Sequence, residues 1–242
     1  MTEAEWLAHS YPKEMLRYLN GRPSKRKLRL FASACCRRIW HLLTDHRSRA
    51  VVEVVERYAD GLASREELEA TAAANRAVAR ERNAALLRSA LLQGLTPSYV
   101  VRDDPEARAE EAVAEAGADG LEIKPWAAGR AVRQALAGSE LGGLVDEAER
   151  KYQCALIRDI FGNPFRPVAI DPPLRTPAVV NLAQAAYDER ALPEGTLDSA
   201  RLAALADALE GASCHDPEIL GHCRREGLHV RGCWAVDLLL GK

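Results

Sequence analysis

The chain of 242 residues has few aromatic residues, little net charge and no long apolar run, and each shortage argues against a class of function. Aromatic residues make up 5% of the sequence, which leaves few side chains on which the bases of single-stranded nucleic acid could stack. The formal net charge is −2, so no overall positive field favours nucleic acid as a partner. No segment approaches the run of about 18 apolar residues that a membrane-spanning helix requires, and we expect no membrane association.

We also expect no secretory signal, because the first residues, MTEAEWLAHS, are acidic and contain no apolar core. Its six cysteines are therefore expected to be free thiols or metal ligands rather than disulfides. At this length the chain can bury a substantial core as one domain or two. These features together predict a cytoplasmic protein.

The spacing of apolar residues predicts an all-α fold, a multi-helix domain of about nine or ten helices. After Ser24 the apolar residues recur at intervals of three and four, which is typical of one buried helix face. Ser64 and Glu67 have the capping pattern of a long helix that reaches about Leu92. The last helix is expected to run from about Val230 to Leu240. We expect a core that includes Leu28, Phe31, Cys35, Ile39, Ile157, Trp234 and Leu238.

Composition predicts two helical subdomains, 1–95 and 125–242, joined by a loosely packed acidic connector, 96–124. Within the connector, residues 106–116 have a high helix propensity but almost no large apolar side chain. Such a segment gains little from burial to offset the entropy lost on ordering. We therefore expect residues 106–116 to be exposed or mobile.

The segment 214–242 contains the sharpest chemical pattern, because three of the six cysteines and three of the six histidines lie in it. Four of these residues have the spacing C-x8-C-x5-H-x3-C: Cys214, Cys223, His229 and Cys233. The spacing resembles a Cys-Cys-Cys-His zinc finger with the last two ligand types exchanged. Three thiolates and an imidazole would form a closed structural zinc site. The alternative is a set of buried free thiols, because a helix that begins after Asp216 would separate Cys214 from Cys223. We expect free thiols, with structural zinc as the alternative.

A basic helix, residues 22–38, is a second candidate site. Its seven lysines and arginines could contact phosphates, but they surround the helix instead of forming one stripe, which favours a solvated face. Among catalytic motifs, the sequence contains no glycine-rich phosphate loop, no G-x-S-x-G and no H-E-x-x-H. Cys35 and Cys154 lie on predicted core faces, where burial suppresses the thiolate that a nucleophile requires. The sequence therefore identifies no catalytic residue.

Three segments, RKLRLFASACCRRIW (26–40), CALIRDIFGNPFRPV (154–168) and HVRGCWAVDLLLGK (229–242), resemble a family of uncharacterised proteins. The family occurs in many copies in planctomycete genomes and has no assigned activity. The resemblance implies a bacterial, intracellular protein and supplies no catalytic residue.

We therefore predict a non-enzymatic helical protein that binds another protein, as an accessory part of a larger bacterial system. Two alternatives remain open. One is a zinc-stabilised nucleic-acid-binding protein that uses the basic helix 22–38. The other is a hydrolase whose site is assembled from residues distant in sequence.

Overall fold

A computed structural model describes residues 1–19, 24–93, 104–117, 125–136 and 142–242, and these residues form an all-α fold without a strand. The predicted fold class is confirmed. The helices are α1 (Glu3–Ala8), α2 (Pro12–Tyr18), α3 (Lys25–Arg37), α4 (His46–Ala59), α5 (Arg65–Leu92), α6 (Pro105–Gly117), α7 (Pro125–Leu136), α8 (Gly142–Phe161), α9 (Pro177–Asp188), α10 (Ser199–Gly211), α11 (Pro217–Arg224) and α12 (Trp234–Leu240). None of the helices in the described ranges is both long and apolar enough to cross a membrane.

Side-chain caps fix several helix starts where the sequence predicts them. The Ser64 hydroxyl accepts a hydrogen bond from the backbone N–H of Glu67 at the start of α5. The Asp216 carboxylate accepts from the first backbone N–H groups of α11. These bonds satisfy N–H groups that have no partner within the helix, so each cap both marks and stabilises a helix start.

The helices form two compact units, which differ from the predicted division. The central unit is Ser10–Gln153, and the terminal unit combines Met1–His9 with Cys154–Lys242. Boundaries at 95 and 125 do not appear because α6 and α7 pack with α3, α4 and α5 in the central unit. The unit boundary instead falls within α8, which continues through it.

The expectation that residues 106–116 are exposed is wrong. In α6, Ala109, Ala112 and Val113 are fully buried, and the helix packs against α3, α4, α5 and α7. Small alanine side chains let neighbouring helices approach closely, so a face without large residues still packs into a core. The flanking parts of the predicted connector, 96–103 and 118–124, lie outside the described residues.

The predicted core is confirmed at Phe31, Cys35, Ile39 and Ile157, which are fully buried. Leu28 is half-buried, whereas Leu30 on the same helix is buried. Trp234 and Leu238 are also half-buried and pack at the edge of the terminal unit's core. That core is formed by α9 to α12 and includes Val179, Tyr187, Leu205, Leu209, Val236 and Leu239.

Candidate functional site: a buried aspartate, histidine and cysteine cluster

Four buried side chains of the terminal unit converge on one point, with one ligand-type atom of each within 4.8 Å of the others. They are Asp159, His222, His229 and Cys233, here called the Asp159 cluster. Asp159 comes from α8 and His222 from α11, whereas His229 lies in the connecting loop and Cys233 caps the start of α12. The cluster therefore joins three helices and a loop through polar side chains in an otherwise apolar core.

The local backbone explains how His229 and Cys233 reach the cluster. The predicted helix start at Val230 is wrong, because α12 begins at Trp234. Gly232 has a φ of +91°, a left-handed conformation that suits glycine and cannot continue a right-handed helix. His229 and Cys233 therefore do not share a helix face as their spacing suggests. They meet because the loop turns back at Gly232.

Asp159 is the acceptor around which the cluster is arranged. Its Oδ1 lies 2.8 Å from His229 Nδ1 and 3.3 Å from His222 Nε2. Its Oδ2 accepts a hydrogen bond of 2.9 Å from the backbone N–H of Val230. His222 Nε2 also lies 3.1 Å from Cys233 Sγ. Both carboxylate oxygens therefore act as acceptors, as an ionised carboxylate requires.

The neighbours of the two histidines fix where their protons lie. Trp234 Nε1 lies 3.1 Å from His222 Nδ1, and because an indole N–H only donates, this imidazole nitrogen must accept. A neutral His222 then has its proton on Nε2, directed at Asp159 and Cys233. His229 Nε2 lies 3.2 Å from the carbonyl oxygen of Arg225, which only accepts. Since the other nitrogen of His229 faces Asp159, both nitrogens donate and His229 is an imidazolium.

The pKa shifts have the directions that these assignments require. Burial lowers the pKa of His222, which keeps the ring neutral. Burial alone would also lower the pKa of His229, but the hydrogen bond and charge of Asp159 outweigh it and the pKa is raised. Burial would raise the pKa of Asp159, but hydrogen bonds from both histidines lower it. The cluster thus contains an Asp159–His229 ion pair beside a neutral His222.

Two of the four residues predicted to bind zinc belong to the cluster and two do not. His229 and Cys233 are members, whereas Cys214 and Cys223 lie in the apolar core of the terminal unit. All six cysteines are free and buried, and burial raises the pKa of Cys223 to about 12. The predicted set therefore does not surround one point. The other two members of the cluster are Asp159 and His222, whereas the spacing predicts Cys214 and Cys223.

The distances in the cluster fit hydrogen bonds better than a zinc site. With zinc bonds of about 2.0 Å to nitrogen or oxygen and about 2.3 Å to sulfur, ligand atoms at tetrahedral corners lie about 3.3 Å apart or more. The contacts of His229 with Asp159 and of His222 with Cys233, 2.8 and 3.1 Å, are shorter. Zinc on His222 Nε2 would also require a proton on Nδ1, which would then face the N–H of Trp234. The side chains as arranged form a complete hydrogen-bond network.

Cys233 Sγ and His222 Nε2 are close enough for a cysteine nucleophile and its general base. Their surroundings, however, do not favour nucleophilic catalysis. Cys233 is 0% exposed, so no substrate can approach its sulfur. Burial also raises the pKa of Cys233 well above its ordinary value, which keeps it a thiol. The cluster therefore offers no activated thiolate.

The basic helix, the second candidate from the sequence, corresponds largely to α3, whose cations contact groups within the central unit. Arg37 forms a buried ion pair with Glu56, and Arg26 pairs with Asp60. Arg29 lies over the ring of Tyr58 at 4.8 Å. A nucleic-acid-binding helix would need these cationic side chains free at the surface, but they contact other residues of the same unit.

No family model, curated protein or solved structure matches this chain. The resemblance to the planctomycete family therefore stays a prediction, and inferences about function rest on the side chains themselves.

We expect His222 to carry its proton on Nε2 at neutral pH and purified protein to contain no stoichiometric zinc. Imidazole nitrogen shifts in NMR spectra report the tautomer, and elemental analysis reports the metal. In the control variant Trp234→Phe the donor to Nδ1 is missing, but His222 should keep its proton on Nε2 because that nitrogen still faces the Asp159 carboxylate, and His229 should stay protonated. One zinc per chain, with the His222 proton on Nδ1, would contradict the hydrogen-bond assignment.

Proposed function

We propose that the chain is a non-enzymatic protein that binds an acidic, amphipathic segment of another protein along the outer face of α5. The observation that carries this proposal is a stripe of exposed arginines and leucines on that helix. Along α5 they succeed one another at intervals of four, seven and four: Arg76, Arg80, Leu87 and Leu91, here called the α5 stripe. At about 100° per residue, these four side chains fall within one narrow sector of the helix.

A different face of α5, beside the stripe, holds the helix in the central unit. Leu68, Ala72, Asn75 and Val78 are buried there, and α5 packs against α4 and α6. The inner face therefore accounts for the position of the helix without the stripe. Leu91 is 68% exposed and the adjacent Leu92 is 89% exposed. Large apolar side chains that are exposed together are a feature of surfaces that bind other proteins.

The charge of this face indicates what kind of partner would fit. In the described parts of the chain, Arg76, Arg80 and the flanking Arg88 form no ion pair, although other arginines nearby do. Arg82 pairs with Glu106, and Arg47 pairs with Glu81. Three arginines without an acidic partner beside two exposed leucines are complementary to a segment with an apolar face and acidic flanks. An amphipathic helix of another protein has this chemistry.

Protein is favoured over nucleic acid as the partner because the leucines of the stripe would gain nothing from a phosphate backbone. A hydrolytic activity is less well supported, since the Cys233 sulfur, the one nucleophile of the Asp159 cluster, is closed to substrate. The proposal agrees with the prediction from the sequence and adds a surface to it.

Leu91→Glu is expected to abolish capture of the partner, because it places a negative charge in the path of an acidic, apolar segment. The control is Leu62→Glu, at a side chain of the same type that is 66% exposed in the same unit. Both substitutions are at exposed positions and should leave the fold intact. The measurement is cross-linked affinity capture from cells of the native host. A protein cross-linked to α5 through an acidic segment should be recovered with wild type and Leu62→Glu, and at least about tenfold less with Leu91→Glu.

Equal recovery with Leu91→Glu would refute the proposed surface. Capture that disappears on nuclease treatment would show that the arginines bind nucleic acid instead.

A further inference from the structure

A cavity of about 230 Å³ lies within the terminal unit beside the Asp159 cluster. The residues that line it include two tryptophans, two arginines, an asparagine and a histidine: Trp6, Arg158, Asn163, His222, Arg225 and Trp234. His222 and Trp234 thus connect the cavity to the hydrogen-bond network, whereas the side chains of the other four belong to neither the network nor the α5 stripe. The cavity is therefore a separate feature that the proposed function does not use.

Arg158 is held rigidly in the wall of the cavity. Its Nη2 donates to the carbonyl oxygens of Trp6 and His9 at 2.8 and 2.7 Å, and its Nε also donates to Trp6. Carbonyl oxygens orient the guanidinium but do not neutralise its charge. Burial, together with the nearby charge of Arg225, lowers the pKa of Arg158. An anion that contacts both arginines would relieve this repulsion.

The acidic groups near the cavity are engaged elsewhere. Glu218 lines it, but Glu218 Oε1 lies 2.8 Å from a guanidinium nitrogen of Arg166. Asp159, behind His222, accepts hydrogen bonds from both histidines. Within the described residues, neither Arg158 nor Arg225 forms an ion pair with a carboxylate. The cavity therefore combines two positive charges that no carboxylate pairs with and two apolar side chains at its wall, Leu7 and Trp234.

We propose that this cavity binds a carboxylate attached to a small apolar group, with the carboxylate on Arg158 and Arg225 and the apolar group against Leu7 and Trp234. Guanidinium groups bind carboxylates through paired, charge-assisted hydrogen bonds. Ligand pockets for larger molecules usually exceed about 300 Å³, so this one suits a molecule about the size of a single aromatic acid. The carboxylate belongs either to a free acid or to the C-terminal residue of a peptide.

An NMR titration with hydrocinnamate tests the proposal on the intact chain. The indole N–H signals of Trp6 and Trp234 should shift and saturate, whereas that of Trp40, in the central unit, should not. The uncharged hydrocinnamide should produce no saturable shift, because it cannot form the charge-assisted bonds. A second arm uses a short peptide that ends in phenylalanine, with a free or an amidated C-terminus, and shows which source of carboxylate binds better.

Arg225→Gln should weaken binding of the better of these two probes by about tenfold or more, because it removes one charged partner of the carboxylate. Arg225 is exposed and unpaired among the described residues, so this change should not disturb the fold. The matched control is Arg224→Gln, since the neighbouring Arg224 contacts Asp207 and Glu210 and does not line the cavity. The control should bind the probe as wild type does.

Three results would overturn the carboxylate site. One is the absence of a saturable shift with both the acid and the free peptide. The second is equal binding of the acid and its amide, and the third is unchanged binding by Arg225→Gln. None of these results depends on the α5 stripe, so this proposal and the proposed function can fail independently.

Discussion

Replacing Asp159 with asparagine is expected to destabilise the terminal unit by about 3 to 5 kcal/mol, because it breaks a buried ion pair and leaves its partner uncompensated. Asparagine has the shape of aspartate but replaces one acceptor oxygen with an NH₂ group. In the Asp159 cluster both oxygens accept, one from the two histidines and the other from the N–H of Val230. Whichever way the amide turns, its NH₂ group faces a donor. The variant therefore loses hydrogen bonds as well as charge.

The size of this loss should depend on pH. Asp159 has a folded pKa below its ordinary value of 3.8, so its contribution is present above that pH and is lost as the pH falls through the folded pKa. His229 has a folded pKa above its ordinary value of 6.5. Its contribution is present below pH 6.5 and is lost as the pH rises through the folded pKa. The difference between wild type and Asp159→Asn should therefore be largest between these two values, for example at pH 6.

Hydrogen exchange of the Val230 amide measures the effect where it arises, because this N–H donates directly to Asp159. We expect its free energy of opening to fall by most of the global loss in Asp159→Asn. The control is Asp207→Asn, which removes an exposed partner of Arg224 and should change stability little. An Asp159→Asn variant as stable as this control at pH 6 would show that the carboxylate does not organise the cluster.

The helices could be predicted because their signals are local. A cap such as Ser64 lies within a few residues of the N–H groups it satisfies, and an apolar repeat such as that of α3 lies within one helix. The start of α12 was predicted too early because the apolar pattern continues through Gly232. The left-handed backbone of this glycine delays the helix start to Trp234, and the apolar pattern does not reveal it. The burial of α6 was missed because alanines gain their packing energy from close neighbours, which belong to other helices.

The membership of the cluster depends on contacts between residues far apart in the chain. Asp159 precedes Val230 by 71 residues, and no spacing rule relates a position on α8 to that loop. One local signal was available, since Asp159 lies among the apolar residues Leu156, Ile157 and Ile160, which are all buried. A carboxylate on such a face needs a buried donor. The zinc-finger spacing predicts Cys223 and not its neighbour His222, because the pattern depends on the positions of cysteines and takes no account of helix geometry.

Replacing Glu56 with glutamine should destabilise the central unit by about 3 kcal/mol or more, because it breaks a buried ion pair between α3 and α4. Arg37 Nε and Nη2 lie 2.6 and 2.9 Å from the two oxygens of Glu56, and both side chains are almost entirely buried. Glutamine removes the negative charge that the buried Arg37 guanidinium faces in this pair. Chemical denaturation followed by circular dichroism measures the loss. The control is Glu67→Gln, because its pair with Arg57 is exposed on both sides and contributes little.

The double variant Arg37→Met, Glu56→Leu separates the cost of an unpaired charge from the value of the pair. Removing both charges leaves no ion to solvate, so the double variant should recover most of the stability lost in Glu56→Gln. A double variant as unstable as Glu56→Gln would mean that shape and hydrogen bonding at this site matter more than charge. Recovery would show that Arg37, the buried cation of α3, is held as one half of an internal pair. A cation held in this way is not available to a phosphate backbone, which is the partner that the charge of this helix first suggested.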